Sequence, residues 1–225
     1  MADISLSQSG FRLVPKQPLR SGRYGGLVTF FPSKKNRKSV VCQTSLEADF
    51  CLLLEHSNQV MMYRTQPYVI HFYEGSCSYT PDVVARLADG REVIYEVKST
   101  RLSNASRWIR RRCLLEFLMS KNGLIFEFIS ESQIRGSTSI SSLRQLYHLA
   151  LYGHPYARST VPAELQKQPM GQSTISSLIS RHITAADIAH AIFYQSICCD
   201  LSRPIDMNSQ VWVSRDGRNT EYEDR

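Results

Sequence analysis

The chain of 225 residues has no cysteine pair at CxxC spacing, no HExxH pair among its six histidines, no GxxxxGK[ST] loop and no GxSxG turn. Each absence removes a chemistry. Without paired cysteines or histidines at ligand spacing, structural zinc is not expected. The six cysteines (Cys42, Cys51, Cys77, Cys113, Cys198 and Cys199) read as buried free thiols, because their spacing shows no disulfide framework. Without the glycine-rich loop there is no cradle of that kind for nucleotide phosphates, and without the elbow no serine nucleophile of that type. No apolar run approaches the ~20 residues that a bilayer span needs. Residues 1–10 lack the charged start and apolar stretch of a secretory signal, so a cytoplasmic location is the default expectation.

What remains is a chain of ordinary globular composition, 42% hydrophobic and 21% charged, with a net charge of +7. Its length suits one core, or a core with a small satellite domain. The positive charge is concentrated at the start, where Arg12, Lys16, Arg20, Arg23, Lys34, Lys35, Arg37 and Lys38 face the single acid Asp3. A phosphate backbone is a natural counter-surface for such a segment, since each neutralised phosphate releases counterions. A solvated basic segment has the same composition.

Periodicity predicts a helix over residues 44–57, with Leu46, Phe50, Leu53 and Leu54 on its apolar side and Thr44 as cap. Residues 60–73 read as a strand broken or bulged at Gln66-Pro67. Residues 78–87 and 91–98 read as a hairpin around Asp89-Gly90. A helix then follows Ser103 or Asn104, its apolar side made of Trp108, Cys113, Leu114, Phe117 and Leu118, and it ends at Asn122-Gly123. Residues 124–129 (LIFEFI) have the pattern of a strand buried on both faces, parallel to the one before the helix. The class is therefore α/β, in the order helix, strand, strand, strand, helix, strand. A further helix is expected over 143–151, then a proline- and glycine-bearing linker over 153–172. Helices over 173–180 and 184–199 and a strand over 210–214 outline a small winged helix-turn-helix, followed by a polar tail over 216–225. The organisation so predicted is a basic N-terminal arm (1–43), a main domain (44–152), the linker (153–172) and a C-terminal winged-helix-like domain (173–225).

The stretch that carries chemistry is Thr80-Pro81-Asp82 followed by Glu96-Val97-Lys98. Strand alternation puts Glu96 and Lys98 on one face. Asp82 joins them only if the hairpin loop has odd length. A two-residue loop would set Asp82 against Val97, whereas the three residues Ala88-Asp89-Gly90, with Gly90 left-handed, set it against Glu96. Two facing carboxylates repel, and a bound cation removes that cost. Oxygen ligands of this kind suit Mg²⁺ beside a phosphate, with Lys98 stabilising developing negative charge. The bland alternative is an exposed cross-strand pair worth little. Glu47 has two readings, a fourth member of the site or the acid of a Thr44-to-Glu47 capping box. Gln66 is a candidate for water or phosphate contact, or a turn residue before proline. Arg107, Arg110, Arg111 and Arg112 lie where a DNA backbone would run, or form a solvated helix face.

Taken together these residues resemble the PD-(D/E)xK nuclease superfamily and, within it, the TnsA family of transposase subunits. The likeness rests on Ser45-Leu46-Glu47, Leu52-Leu53-Leu54-Glu55, Tyr63-Arg64-Thr65-Gln66-Pro67, Pro81-Asp82, Glu96-Val97-Lys98 and residues 126–134 (FEFISESQI), within residues 40–150. The resemblance implies a restriction-endonuclease-like αβββαβ core with a mixed sheet. It implies an endonuclease that cuts double-stranded DNA at the 5′ ends of a transposon, with Glu47, Asp82, Glu96 and Lys98 catalytic. It further implies Mg²⁺, replaceable by Mn²⁺, on Glu47, Asp82, Glu96 and the Val97 carbonyl. DNA contacts would come from Lys34, Lys35, Arg37, Lys38, Gln66, Arg107, Arg110 and Arg111. Its partners would be a TnsB-like recombinase of the DDE type at the 3′ ends and a TnsC-like AAA+ ATPase, with no membrane involved. Some TnsA proteins carry Gln where this chain has Glu96, so the chain keeps the more usual nuclease acid. A stand-alone restriction or repair nuclease, and a non-catalytic DNA-binding assembly module on the same fold, are the competing readings.

Overall fold

The computed structural model describes residues 10–17, 28–74, 77–100, 106–136 and 140–213. Arg20, Arg23, the caps Ser103 and Asn104, and the polar tail lie outside the described residues. The chain divides into two compact units, one of Met1–Glu55 with Gln59–Gly136, the other of His56–Asn58 with Ser137–Arg225. Both mix helices with sheets, and one sheet is itself mixed, so the α/β class holds. Among the described residues no helix is long and apolar enough to cross a membrane.

In the first unit, strands β1 (Phe11–Pro15), β2 (Thr29–Ser33) and β3 (Lys38–Cys42) occupy the stretch expected as a basic arm. Helix α1 (Ser45–His56) buries Leu46, Phe50, Leu52 and Leu54. It is followed by β4 (Val60–Thr65), β5 (Tyr68–Phe72), β6 (Ser78–Tyr79), β7 (Val83–Leu87) and β8 (Glu92–Lys98). Helix α2 (Ser106–Lys121), β9 (Ile125–Ser130) and the short α3 (Glu131–Gly136) complete the unit.

The break at Gln66-Pro67 does more than bulge a strand. Gln66 has φ of 43°, a left-handed value that costs a non-glycine residue about 1–3 kcal/mol. The turn sends β4 into a sheet of order β4-β7-β8-β9 and β5 into a separate one of order β1-β5-β6. In the first, β4, β7 and β8 run antiparallel, and β9, beyond α2, is parallel to β8. Phe50 of α1 packs edge-on against Tyr95 of β8 at 5.1 Å. Phe11, Ile70, Phe72 and Tyr79 of the second sheet form one cluster with Val84, Ile94 and, from α2, Trp108, Leu115, Leu118 and Met119. Fully burying one such side chain contributes about 1.5–3 kcal/mol, so this cluster holds the two sheets and α2 together.

Two expectations fail here, and a third holds only in part. The buried side of α2 is Trp108, Leu115, Leu118 and Met119, whereas Cys113, Leu114 and Phe117 are exposed. Apolar residues occur around most of this helix, so its periodicity does not single out the packed face. Strand β9 is an edge strand, with Ile125 and Glu127 exposed, rather than one buried on both faces. Of the thiols, all are free, and only Cys42 and Cys51 are buried.

The second unit contains α4 (Ile140–Ala150), α5 (Ala157–Gln166), β10 (Gln172–Thr174), α6 (Ile175–Ser180), α7 (Ala185–Phe193), β11 (Cys198–Cys199) and β12 (Gln210–Trp212). The span expected as a linker thus carries α5, built across Pro162, with Val161 and Leu165 buried. Thr174 and Thr184 cap α6 and α7 by accepting the N–H groups of Ser177 and Asp187. Tyr147 packs against Phe193 at 4.6 Å. Helix α7 ends sooner than expected, at Phe193, because Gln195 turns left-handed and Ser196 N–H bonds back to Ala191. The chain then forms β11 in a sheet of order β10-β12-β11.

Candidate active site

The geometry begins at the hairpin turn. Gly90 has φ of 88° and donates its N–H to the Leu87 carbonyl, while Leu87 N–H bonds to Arg91, so the loop is the three residues 88–90. The register pairs Val83 with Tyr95, Val84 with Ile94 and Ala85 with Val93. One step further along the same register, Asp82 stands across from Glu96.

Asp82 Oδ2 accepts the Val97 N–H at 2.9 Å and a hydrogen bond from Lys98 Nζ at 3.2 Å. Glu96 Oε1 lies 2.5 Å from the same Nζ, which also reaches the Val97 carbonyl oxygen at 3.2 Å. One ammonium is therefore ringed by three oxygens, from Asp82, Glu96 and the Val97 backbone. Glu96 Oε2 accepts the Tyr79 hydroxyl at 2.5 Å, and the face of Trp108 lies 5.1 Å from Lys98 Nζ. Sequence reasoning misses the role of both aromatics. Tyr79 arrives from the second sheet, whose pairing leaves no local signal, and Trp108 has the pattern of an ordinary apolar helix residue.

Glu47 is buried in the first turn of α1. Its N–H donates to Thr44 Oγ1 at 3.1 Å, and its Oε2 accepts the Gln43 N–H at 2.8 Å. The capping reading of Glu47 is thus realised, displaced by one residue. Its proximity to the cluster is also plain in its titration. Burial, with the neighbouring Asp82 charge, pushes the Glu47 carboxyl above its usual range, against the Gln43 N–H, Thr44 and Lys98. Burial and Asp82 likewise raise Glu96, against Lys98 and Tyr79. Burial alone would lower Lys98, but Asp82 and Glu96 outweigh it and hold its ammonium charged to a higher pH than usual. Three carboxylates here share a single ammonium, which leaves the cluster short of positive charge.

That imbalance decides whether a divalent ion fits. Among the described residues no three His, Cys, Asp or Glu side chains already stand together at ligating distance. The donor set is nonetheless one that binds hard cations, all oxygen and net negative, and Asp82, Glu96 and the Val97 carbonyl already surround a cation of the chain's own. Asp82 Oδ1 makes no hydrogen bond to a described residue. The residues fit Mg²⁺ once the ammonium withdraws.

The basic residues named from the sequence separate into groups. Lys35 is spent inside the fold, its ammonium on the Leu54 and Val60 carbonyls at 2.8 and 2.7 Å. Lys34 is half-buried in the same turn, where its N–H donates to Glu55. Arg37 and Lys38 are exposed. Gln66 donates its N–H to the Asp82 carbonyl and accepts from Lys16 Nζ at 2.7 Å, which places it beside the cluster. Arg107, Arg110 and Arg111 lie on the exposed side of α2, and Arg111 is near enough to Tyr79 to act on its hydroxyl. Compared with known proteins, the chain matches no protein-family model and no curated protein.

Proposed function

We propose that the chain is a Mg²⁺-dependent DNA endonuclease of the PD-(D/E)xK type, resembling TnsA, that cuts the 5′ ends of a transposon beside a DDE-type partner transposase. The observation that carries the reading is the ammonium of Lys98 ringed by Asp82, Glu96 and the Val97 carbonyl. An exposed cross-strand pair has no reason to be walled by a buried tyrosine and tryptophan, or to add a third buried carboxylate nearby. The order helix, strand, strand, strand, helix, strand in the mixed sheet supports a restriction-endonuclease-like core. Helices α6 and α7 with the β10-β12-β11 sheet support a winged-helix-like module in the second unit. On this reading that module meets a TnsC-like AAA+ partner.

Glu47, Asp82, Glu96 and the Val97 carbonyl would hold the ion. Bound there, Mg²⁺ would lower the pKa of an attacking water and neutralise the scissile phosphate. Tyr79 fixes the Glu96 carboxylate through its hydroxyl, leaving the other oxygen directed at the cluster. Lys98, if displaced from the carboxylates by the ion, would offer its charge to the phosphate, and the Trp108 ring already lies beside its ammonium. Purified protein with its partner is expected to nick transposon-end DNA only with Mg²⁺ or Mn²⁺, and Asp82→Ala to abolish the nicking without unfolding the chain. Undiminished cleavage by that variant would sink the reading.

A further inference from the structure

A groove of about 310 Å³ runs along β4, the edge strand of the mixed sheet, between β3, β4 and the residues after β1. Lys16, Lys38 and Arg64 line it, together with Tyr63, Gln66 and Pro67, and among the described residues no acidic side chain does. Arg64 is only loosely engaged, 3.8 Å from Glu92 and half-exposed, and Lys38 is exposed on β3. Three like charges around one hollow repel each other, and an anion between them would reverse the sign of every one of those interactions. With liquid water taking about 30 Å³ per molecule, the groove has room for a short stretch of sugar-phosphate backbone.

Its position matters as much as its charge. Gln66, which lines the groove, is held in a left-handed conformation with its N–H on the Asp82 carbonyl at 3.1 Å. Lys16 Nζ is in turn fixed on the Gln66 side-chain oxygen. A strand of nucleic acid presenting one phosphodiester to Asp82 would have this basic groove beside it, joined to Asp82 through Gln66. We infer that this groove is a phosphate subsite that grips the DNA backbone flanking the bond to be cut. The choice of DNA rests on the nuclease reading of Asp82, and the anion chemistry rests on the groove alone. Two lysines act as point charges and one arginine as a fork, a set that fixes backbone position without reading sequence.

The test is the salt dependence of binding by the full chain, measured in chelator by fluorescence anisotropy on a duplex of arbitrary sequence. Each phosphate contact contributes about 0.9 to the slope of log affinity against log salt, so Lys16→Gln/Lys38→Gln/Arg64→Gln is expected to reduce that slope by about 2–3. Should the triple variant melt early, the single Lys38→Gln, on an exposed strand position, is expected to remove about 0.9 by itself. Arg91→Gln, at the hairpin turn on the opposite end of β8, is the charge-matched control for Lys38→Gln and should leave the slope alone. An unchanged slope in the triple variant, or an equal loss in the Arg91 control, overturns the subsite. Two other findings also overturn it when the DNA slope is unchanged. One is inorganic phosphate raising the melting temperature of the parent chain but not of the triple variant, which assigns the groove to a free anion. The other is loss of polyglutamate binding, which assigns it to an acidic protein. Cleavage by Asp82→Asn is scored separately, so a failed nuclease reading and a failed groove give different results.

Discussion

Helix α1 carries two buried glutamates, and the chain treats them in opposite ways. Glu55 is saturated. Its carboxylate accepts the Ser33 hydroxyl at 2.7 Å, the Lys34 and Lys35 N–H groups at 3.0 Å each, and the Tyr63 hydroxyl at 2.8 Å. Two turns earlier, Glu47 accepts the Gln43 N–H and faces the charge of Asp82, and its carboxyl is pushed upward by burial. A carboxylate buried for structure is given a donor for each lone pair. On the proposed reading, one buried for chemistry keeps fewer donors than lone pairs, and the fold tolerates the cost. The difference separates an acid that ties the β2–β3 turn to α1 from an acid poised beside Asp82, Glu96 and Lys98.

The sharpest way to break this comparison is to delete one acid from each centre and read both cleavage and stability. Asp82→Ala should lower cleavage by at least a thousandfold, about 4 kcal/mol on the barrier, while leaving urea unfolding unchanged or slightly stabilised. Glu55→Ala should do the reverse. It strands two backbone N–H groups and two hydroxyls in the interior and is expected to cost on the order of 3 kcal/mol in urea unfolding. If the Asp82 variant proves the less stable of the two, the division between structural and chemical acids fails.

A smaller effect tests the ammonium. Lys98→Met keeps the apolar stem and removes the charge, so Mn²⁺ affinity read by calorimetry should rise by about tenfold as the competing cation is lost. An unchanged affinity would show that the ammonium does not sit where the ion goes. The smallest effect is on pH. Glu47 and Glu96 have raised folded-state values, so above the ordinary glutamate value of 4.5 the folded chain binds more protons than the unfolded one. Stability in chelator should therefore fall as pH climbs from 4.5 through those raised values, and saturating Mg²⁺ should flatten the decline. A chelator profile that is flat, or that rises over this range, would contradict the under-compensated cluster.

Much of the site is legible in the sequence because strand parity is a local rule. Asp89-Gly90 marks the turn, and parity then sets Asp82 against Glu96 if the loop has three residues or against Val97 if it has two; the register of the strands selects three. The order of elements is equally plain, since α1, β7 and β8 each have one dominant period and Asn122-Gly123 marks the end of α2. Other features rest on contacts between residues far apart in sequence. Strand β1 pairs with β5 across a long stretch of chain, and nothing in residues 11–15 announces that partner. Tyr79 reaches Glu96 only because Gln66 turns the chain into a second sheet, and a left-handed glutamine has no signature of its own. Lys35 has the look of a basic surface residue, yet its ammonium serves two interior carbonyls, a role that composition does not reveal. Pro162 suggests a linker and instead lies within α5, where burial of Val161 and Leu165 outweighs the lost backbone bond.

The counter-ion that stands between Asp82 and Glu96 is covalently part of the polypeptide. The pocket can therefore take its final shape as soon as the chain folds, with no wait for an ion from solution, and a chelating buffer leaves that shape intact. On the proposed reading this amounts to a safety catch. A newly made chain would then be unable to cut while its own lysine fills the cage, and would become able only if metal and DNA together drew that lysine out.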